Sequence, residues 1–600
     1  MLARKSSIFC ILPPEVAVNI CDAGLRVVVN RELSKHLRAN VGPDNASDPD
    51  LFVQKLLSET SGYRESAANA APNKTFKVGI VGAGAAGLYA AVLLQSLGID
   101  FEILEANTRI GGRIYTHRFD ADAWAKAKPG EPAYYNYYDV GAMRIPDIEY
   151  MFRLLGTQNN SLMSYINAKA PFESDKVKLI PYIFEVGNNF RLFNDKLVHL
   201  AVTPSAETFG TLKSDNGTVS DPAFGAMSPQ KILETEFAPL VQGLEDDFTS
   251  GFVKLMEYDH LSVRQFLMER GYAAEEIDWI ETVHDFTGQY DRWSLPQAVL
   301  EGWILDKTPL DKWKTIEGGM DRLVNGMVHV LDKSVLTSKR VTGLKPTPGG
   351  RGVTVVVNKT EERNYAHVIN TPPLGVLYTM DMTQLGLSYA QKLAIRDLEY
   401  DNAAKVGMTF KTRWWETLQS GPFKGGQSYT DLPLRRVIYP SYGIDTPHAA
   451  AALIASYTWG QDSLRMGSFF HTPAGREYIL STTLRDLARL HNVTESLVRD
   501  QLVDYHLWDW YANEFSAGGF ATFGPSQFST MLPALLRPAY SGKVHFAGEA
   551  LSSGHTWIIG ALNSAYRAVA EILAVEGMVD ELYGLVETWG VVDEVEMGWY

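Results

Sequence analysis

Three glycines near the start of the chain have the spacing of a turn that binds the pyrophosphate of a dinucleotide. Gly82, Gly84 and Gly87 form a Gly-x-Gly-x-x-Gly pattern between a β-rich run, 77–81, and a run of helix formers, 85–97. In such a turn the first glycine permits the bend, the second admits the phosphate, and the third lets the helix touch the strand. The N–H groups at the start of the helix then favour the phosphate charge.

An acid and an arginine follow at spacings that extend this prediction. A second predicted strand, 101–104, ends at Glu105, about twenty residues after the glycines, where a carboxylate binds a ribose hydroxyl and disfavours a 2′-phosphate. Glu105 to Arg113 then has the spacing Glu-x-x-x-Arg-x-Gly-Gly-Arg. This segment resembles that of the flavin monoamine oxidase superfamily. The resemblance implies FAD instead of NAD, with Arg113 at a phosphate or at the flavin ring.

A second segment with the same resemblance lies near the C-terminus. Glu549 ends the run Val-His-Phe-Ala-Gly-Glu, and the run Gly-His-Thr-Trp occupies 554–557. The resemblance implies that Glu549 binds a ribityl or ribose hydroxyl and that a helix beginning near Ile559 points its N-terminus at the flavin. Relatives that bond the flavin covalently use a cysteine here, whereas 551–557 contains none, so we expect non-covalent FAD. The residues that the resemblance assigns to FAD are Gly82, Gly84, Ala85, Ala86, Gly87, Glu105, Ala106, Arg113, Gly141, Ala142, Met143, Arg144, Val341, Glu549, Trp557, Ile558 and Ala561.

A candidate substrate contact is Arg144, in the segment Gly-Ala-Met-Arg at 141–144. This segment resembles one in L-amino acid oxidases, where the arginine binds the substrate carboxylate. A guanidinium forms two parallel hydrogen bonds with a carboxylate and thereby fixes the neighbouring Cα. The segment that ends in Val-Ile-Tyr-Pro similarly implies Tyr439 as a second carboxylate contact.

Three further residues are assigned through the same resemblance. Trp557 is expected to wall the substrate at the flavin face, and Thr556 to offer a backbone carbonyl to the substrate amine. Lys405 resembles the lysine that holds a water near flavin N5. Its positive charge would stabilise superoxide formed during O₂ reduction, so Lys405 is the predicted catalytic lysine.

These assignments predict FAD-dependent oxidative deamination of L-amino acids by O₂, with release of a 2-oxo acid, ammonia and H₂O₂. Three alternatives remain open at this point. A decarboxylating L-amino acid 2-monooxygenase also carries a Gly-Ala-Met-Arg segment. An amine or polyamine oxidase needs no carboxylate clamp, and a flavin-fold binding protein would show no turnover. The preferred substrate side chain is not predicted.

The elements that must position these residues define an α/β fold. We expect a discontinuous Rossmann-like FAD-binding domain of the GR2 type, with an inserted mixed-sheet substrate domain and a helical subdomain. The chain predicts helices at 232–244 and 262–270 and a β-meander of strands at 341–345, 352–357 and 366–370. The expected division is an N-terminal extension, 1–75; FAD-binding parts, 76–125, 306–380 and 531–577; substrate-binding parts, 126–190 and 381–530; a helical part, 191–305; and an acidic C-terminal tail, 578–600, that is solvated or forms a short surface helix.

Composition limits the class of protein and its partners. The 600 residues are 46% hydrophobic and 21% charged, as in ordinary globular proteins, and the net charge of −15 argues against nucleic-acid or anionic-membrane partners. The two cysteines, Cys10 and Cys21, predict no disulfide framework and no thiolate metal cluster, and they favour a cytoplasmic location. No metal site is predicted. The uncharged run 78–99 is interpreted as a buried strand and helix instead of a membrane span. The resemblance also implies a homodimer.

Overall fold

The computed structural model describes residues 49–65, 76–156, 161–419 and 421–599. Its central feature is a parallel sheet of four strands drawn from three distant parts of the chain. The strands lie in the order Asp100–Leu104, Lys77–Val81, His367–Asn370 and Val544–Phe546. Parallel strands buried on both faces are apolar, as in the buried residues 78–81, Val-Gly-Ile-Val, that follow half-buried Lys77. The predicted α/β class with a discontinuous Rossmann-like domain is confirmed.

Two apolar helices, Ala85–Ser96 and Ile558–Val575, pack against this sheet and against each other. The uncharged run therefore divides into strand and helix, as interpreted from the sequence. The second helix begins one residue before the predicted Ile559. Among the described residues it is the one helix long and apolar enough to cross a membrane, and its whole length is buried inside the protein. A helix in the core of a protein meets the same criteria of length and composition, so this finding is weak support for a span.

A seven-stranded sheet forms a second layer and carries several predicted site residues. Strand Ala403–Phe410 lies between Leu502–Asp509 and Ala451–Trp459, so both of its edges are paired. Every residue of that strand is buried. The sheet order is Leu502–Asp509, Ala403–Phe410, Ala451–Trp459, Arg436–Ile438, Gln427–Thr430, Phe190–Phe193 and Lys196–His199.

A group of helices forms the third part and contains both predicted helical segments. The expected helices at 232–244 and 262–270 correspond to Pro229–Asp246 and Val263–Glu269. Ser262 caps the second helix and forms a capping box with Gln265, which explains where that helix begins. The helices of this group are Ala206–Phe209, Pro222–Gly225, Pro229–Asp246, Phe248–Leu255, Val263–Glu269, Ala274–Val283, Gln289–Arg292 and Leu295–Lys307.

The predicted β-meander is wrong in its third strand. Val341–Pro346 and Val353–Val357 pair as expected, but the third strand is Glu361–Tyr365. The segment predicted at 366–370 contains His367–Asn370, which joins the parallel sheet between Lys77–Val81 and Val544–Phe546. The alternating charged residues of Glu361–Tyr365 suit a strand with one exposed face, whereas His367–Asn370 is buried throughout.

The acidic C-terminal tail is not solvated. It forms helix Val579–Trp589, whose buried residues Leu582, Leu585, Val586 and Trp589 follow helical spacing. Arg153 donates hydrogen bonds to the carbonyls of Trp589 and Val591, both at 2.8 Å. Asp580 and Glu587 of this helix are exposed, whereas Glu596 beyond it is buried and accepts a hydrogen bond from the backbone N–H of Ser553 at 3.1 Å. The charge of the segment therefore does not prevent its apolar face from packing.

The N-terminal extension is described only at 49–65, and its other residues lie outside the described part of the chain. Helix Pro49–Glu59 packs Phe52 against Tyr566 and Trp599, with ring centroids 6.2 and 5.4 Å apart. This segment therefore covers the same core as the C-terminal segment. The further α-helices are Ser61–Glu65, Ala121–Lys126, Phe152–Leu155, Leu162–Lys169, Asp321–His329, Leu374–Leu377, Tyr389–Asp397, Gly460–Gly467, Pro473–His491, Glu495–Gln501, Gln527–Thr530 and Leu532–Leu535; the further strands are Thr116–Arg118, Tyr137–Asp139, Ile145–Pro146, Leu179–Pro181, Trp313–Ile316, Tyr400–Asp401 and Phe520–Ala521.

Candidate functional site

A single large cavity of about 1410 Å³ connects the parallel sheet, the seven-stranded sheet and the helical group. Two predicted site residues, Gly87 and Tyr439, do not line it. The predicted site residues that do line it are Gly82, Gly84, Ala85, Ala86, Glu105, Ala106, Arg113, Gly141, Ala142, Met143, Arg144, Val341, Lys405, Glu549, Thr556, Trp557, Ile558 and Ala561. The fold thus brings segments more than 400 residues apart in sequence to one space.

The glycine turn shows why each of its glycines is needed. Gly82 has a φ of 98°, and a Cβ there would lie 2.6 Å from Thr371 Oγ1. A Cβ on Gly87 would clash with the carbonyl oxygen of Gly82, so this glycine serves the contact between helix and strand and not the cavity. Gly84 differs, since its φ is −79° and its Cβ would meet no atom within 4 Å. The protein itself leaves room at Gly84, and that room faces the cavity.

Two helices begin at the cavity without a side-chain cap. Helix Ala85–Ser96 starts after Gly84, and helix Ile558–Val575 starts after Trp557, and neither residue caps its helix through a side chain. Unpaired N–H groups and the helix dipole favour negative charge at both positions. Together with the space at Gly84, the first of these helix ends fits a pyrophosphate.

Glu105 stands at the end of strand Asp100–Leu104, beside the glycine turn. Its Oε2 accepts a hydrogen bond from the backbone N–H of Ala83 and its Oε1 one from Asn107, both at 2.7 Å. Burial raises the pKa of Glu105, although these hydrogen bonds oppose the shift. The carboxylate is therefore fixed in direction at the cavity wall.

Half-buried Arg113 and buried Glu549 form an ion pair that joins the two cofactor-type segments. Arg113 Nη1 donates to Glu549 Oε1 at 2.7 Å and to the carbonyl of Gly519 at 3.2 Å. Glu549 also accepts from the backbone N–H groups of Ala521, at 3.0 Å, and Thr556, at 3.1 Å. Burial acts to raise the pKa of Glu549, but Arg113 outweighs it and the pKa lies below its usual value. The pair is charged and internally neutral.

Lys405 is buried in the middle of strand Ala403–Phe410. Its Nζ donates to the carbonyls of Asp139, at 2.9 Å, and Gly141, at 2.8 Å, and lies 4.6 Å from the ring centroid of Tyr457. Burial lowers the pKa of Lys405. The fold thus places a lysine directly behind the segment that carries Arg144.

Arg144 presents a free cation inside an aromatic wall. Its guanidinium carbon lies 4.6 Å from the ring centroid of Phe184 and 5.6 Å from that of Trp313. Its Nη1 is buried and has no hydrogen-bond partner in the described part of the chain. A buried donor without a partner costs about 1–3 kcal/mol, and a bound anion would remove that cost. This is the property expected of a carboxylate clamp.

Glu301 is a candidate that the sequence analysis missed. Its Oε2 accepts hydrogen bonds from Thr556 Oγ1, at 2.9 Å, and from Trp557 Nε1, at 3.0 Å, and the residue lines the cavity. Burial raises the pKa of Glu301 to about 7, against the opposing influence of these two donors and of Arg144. A signal existed, because Glu301 is a lone acid within the apolar run 295–304.

Thr556 holds an unusual backbone conformation next to this acid. Its φ is 70°, which is rare for a β-branched residue. The hydrogen bonds of its N–H to Glu549 and of its Oγ1 to Glu301 hold it there. Such strain is concentrated at functional positions.

The predicted contact of Tyr439 with the substrate carboxylate is corrected by the structure. Its hydroxyl is buried and bonds Ser428 Oγ, at 2.9 Å, and His491 Nε2, at 2.6 Å. Side chains alternate along a strand: Arg436 lines the cavity, whereas Val437 and Tyr439 pack together in a separate buried cluster. Tyr439 therefore belongs to a core behind the sheet. The tyrosine that lines the cavity beside Lys405 is Tyr457, on the neighbouring strand.

The fold and this cavity define a flavoenzyme of the amine-oxidising type, and the comparisons with known proteins agree. The chain matches the model of flavin containing amine oxidoreductases over residues 85–573, and it belongs to that family. It is 37% identical to a putative bifunctional amine oxidase of Dictyostelium discoideum over 92% of this chain, and it spans 53% of the length of that relative. It is 35% identical to L-amino-acid oxidase 4 of Hebeloma cylindrosporum over 91% of this chain and 90% of that protein.

A solved structure shows the same fold. Putrescine oxidase bound to putrescine superposes with a TM-score of 0.60 at 17% identity, covering 83% of this chain and 99% of that one. The family confirms a flavin-dependent oxidoreductase. The substrate must be argued from the side chains at the cavity, since one fold serves several chemistries.

Proposed function

We propose that this chain is an FAD-dependent L-amino acid oxidase that converts L-amino acids and O₂ to 2-oxo acids, ammonia and H₂O₂. The observation that carries the proposal is the free guanidinium of Arg144 between Phe184 and Trp313. An oxidase of simple amines has no use for a buried cation at this place, because it would repel a cationic substrate. The relative named L-amino-acid oxidase 4 supports the same choice.

The cofactor in this proposal is non-covalent FAD. The space at Gly84 and the uncapped start of helix Ala85–Ser96 would take the pyrophosphate, Glu105 the ribose, and the start of helix Ile558–Val575 the flavin ring. The whole sequence has cysteines only at Cys10 and Cys21, so no cysteine stands in the segment 551–557. Denaturation in acid should release all flavin into the supernatant, and a protein-bound yellow pellet would contradict the proposal.

In this mechanism the protein supplies orientation, charge and the exclusion of water. Arg144 would bind the substrate carboxylate through two parallel hydrogen bonds, and Trp557 and Trp313, whose ring centroids are 5.9 Å apart, would confine the rest of the molecule. When bound, FAD supplies a two-electron acceptor that O₂ can reoxidise. Lys405 would hold a positive charge close to the oxygen as it is reduced.

The decisive experiment is anaerobic mixing of the purified yellow protein with a panel of L-amino acids, D-amino acids and amines that lack a carboxylate. We expect bleaching of the flavin absorbance by L-amino acids alone. Bleaching by amines and not by amino acids would establish an amine oxidase. No bleaching by any compound would indicate a flavin-binding protein without turnover.

Products formed in air separate the oxidase from a decarboxylating monooxygenase. The oxidase yields one ammonia per substrate with H₂O₂, whereas the monooxygenase yields CO₂ and an amide. Measuring all four products with the best L-amino acid of the panel is therefore a test that does not depend on kinetics.

A further inference from the structure

The cavity is lined by a cation, Arg144, and an anion, Glu301, that form no hydrogen bond with each other. Arg144 Nη1 has no partner in the described part of the chain. Glu301 is anchored through Oε2 alone, and its Oε1 accepts no hydrogen bond from the described residues. A zwitterion carries a matching pair of charges on neighbouring atoms. Resting on the proposed function, we infer that Glu301 binds the α-ammonium group of the substrate and accepts its proton before the Cα hydrogen leaves.

The anchoring of Glu301 fixes the direction of its free oxygen. Trp557 Nε1 and Thr556 Oγ1 both donate to the same oxygen, Oε2. Trp557 is also the residue whose ring faces Trp313, beside Arg144. The aromatic wall from Arg144 through Trp313 to Trp557 therefore ends at the carboxylate of Glu301. A substrate whose carboxylate is held by Arg144 would extend its amino group along this wall.

Loss of one proton from the substrate ammonium group is chemically required before the Cα hydrogen leaves. An ammonium nitrogen has no lone pair, so it cannot form the C=N bond that accompanies loss of the Cα hydrogen with its electron pair. Transfer of one proton from the nitrogen to Glu301 Oε1 leaves a neutral amine and a neutral carboxylic acid, and no atom is oxidised or reduced. The net charge of the pair is zero before and after the transfer, but after it neither group carries a charge, which suits a site shielded from water.

The groups that face Glu301 are compatible with this role. Arg144 favours the ionised carboxylate and Glu549 opposes it. Glu549 is itself neutralised by Arg113 at 2.7 Å, and Tyr457 faces the same space from strand Ala451–Trp459. When the substrate carboxylate occupies Arg144, its positive charge no longer opposes protonation of Glu301. Lys405 is less suited to accept the proton, because its N–H groups already donate to two carbonyls.

Asp306 provides a matched control on the same helix. It lies five positions after Glu301 on Leu295–Lys307 and lines the outer part of the cavity. Asp306 is exposed at the surface, but reduced contact with water at the cavity wall, together with the charge of Glu234, raises its pKa to about 6, so it titrates in a similar range. Its side chain does not bond Thr556 or Trp557, and the inference gives it no role.

The test measures flavin reduction as a function of pH for wild type, Glu301→Gln and Asp306→Asn. For each, the rate constant of reduction is divided by the substrate Kd. In the wild type we expect a bell-shaped dependence of this ratio on pH. Its acid limb, near pH 7, would come from Glu301 and its alkaline limb from the substrate ammonium group. For Glu301→Gln the ratio should have no acid limb and should rise steadily with pH, because only substrate that is already a neutral amine then reacts. At pH 7 its ratio should fall on the order of 100-fold, and Asp306→Asn should keep the bell.

Ligand binding gives a second measurement that does not involve turnover. The des-amino analogue of the substrate keeps the carboxylate and lacks the ammonium group. Glu301→Gln should weaken binding of the amino acid and leave binding of the analogue unchanged within about twofold. A merely structural role of Glu301 would weaken both.

Three results would overturn the inference. A bell that persists in Glu301→Gln removes Glu301 as the proton acceptor, and loss of the acid limb in Asp306→Asn transfers the role to Asp306. Both leave the proposed function intact, because the wild-type flavin is still bleached by L-amino acids. Absence of that bleaching would instead reject the proposed function and this inference together.

Discussion

The two ends of the cavity are built on opposite principles. At the cofactor end, backbone conformation and paired charges dominate, as in the glycine turn and in the 2.7 Å pair of Arg113 and Glu549. At the substrate end, side chains dominate, and Arg144 and Glu301 each keep one polar atom without a partner in the described residues. The first end offers a shape, whereas the second offers charges that a ligand must complete.

This difference separates what stabilises the fold from what selects a ligand. A buried ion pair that is already satisfied gains little from a further partner, while removal of one member leaves an uncompensated charge and costs about 3–5 kcal/mol. Arg113 and Glu549 therefore belong to the framework as much as to the cofactor. Arg144 costs the protein stability until an anion arrives. Substitutions should accordingly act on folding at the cofactor end and on affinity at the substrate end, except where a residue of the cofactor end leaves free space.

At that exception the expected effect is loss of the cofactor itself, on which all turnover depends. Gly84→Val should keep the fold, because its backbone angles suit valine and the added Cβ meets no protein atom within 4 Å. It should nevertheless reduce bound flavin on the order of tenfold or more, since the phosphate loses its space. Gly87→Val should fail to fold, because its Cβ clashes with Gly82. Flavin absorbance and the thermal transition of the apoprotein check both; an unfolded Gly84→Val would show that the space serves the protein.

At the substrate end, Arg144→Met should lower kcat/KM for L-amino acids by about 100- to 1000-fold, since removing one partner of a buried charge pair costs roughly 2–5 kcal/mol. Flavin content and Tm should not fall, because Arg144 has no partner in the described residues to lose. Arg191→Met is the control. It lines the same cavity, and its Nε also has no hydrogen-bond partner in the described residues, but its Nη1 is held by the carbonyl of Val202 at 3.2 Å. Its kcat/KM should stay near wild type, because the proposal gives it no contact with the substrate. Equal losses of kcat/KM in both variants would show that Arg144 contributes only positive charge to the cavity and does not bind the substrate carboxylate specifically.

Most of the residues predicted from contiguous patterns line the cavity, whereas two further residues that line it, Glu301 and Tyr457, were not predicted, for one physical reason. The glycine turn, Glu105 and the Glu549 segment are contiguous patterns whose geometry is local, so their spacing alone places them at the cavity. Glu301 and Tyr457 are single residues on a helix and a strand, and only the packing of distant elements brings them beside Arg144. The wrong third strand of the meander has the same origin, because the residues of His367–Asn370 pair with residues 289 and 176 positions away.

The parallel sheet at the cofactor end should also lose stability in acid, because one of its strands contains the buried histidine His367. His367 Nδ1 lies 3.1 Å from His545 Nε2, and its Nε2 lies 2.8 Å from Glu576 Oε1. Burial lowers the pKa of His367 to about 3. The unfolded chain therefore binds a proton below about pH 6.5 that the folded protein refuses, and stability falls with falling pH, by about 2 kcal/mol between pH 7 and pH 5.

His367→Gln should reduce the number of protons taken up on unfolding in acid by close to one, whatever its effect on stability at pH 7. The measurement is the slope of unfolding free energy against pH from urea titrations, with the exposed His199→Gln as control. An unchanged slope in His367→Gln would mean that the histidine is already charged in the folded protein.

The smallest effects concern the two tyrosines, and they test the alternation of side chains that corrected the sequence prediction. Tyr457→Phe removes a hydroxyl from the cavity wall beside Lys405 and Arg144. If that hydroxyl bonds the substrate carboxylate, KM should rise about tenfold, as expected for one hydrogen bond to a charged group. Tyr439→Phe should leave KM within about twofold, because its hydroxyl bonds Ser428 and His491 behind the sheet.

Stability should separate the two variants the other way round: Tyr439→Phe should lose stability and Tyr457→Phe should not. Tyr439→Phe leaves the buried His491 Nε2 without its 2.6 Å partner, so its free energy of unfolding should fall by about 1–3 kcal/mol. Tyr457→Phe removes no hydrogen bond to the described residues and should not lower the unfolding free energy. A raised KM in Tyr439→Phe with unchanged Tm would restore Tyr439 to the substrate site. The strand would then have to present that side chain to the cavity when substrate is bound.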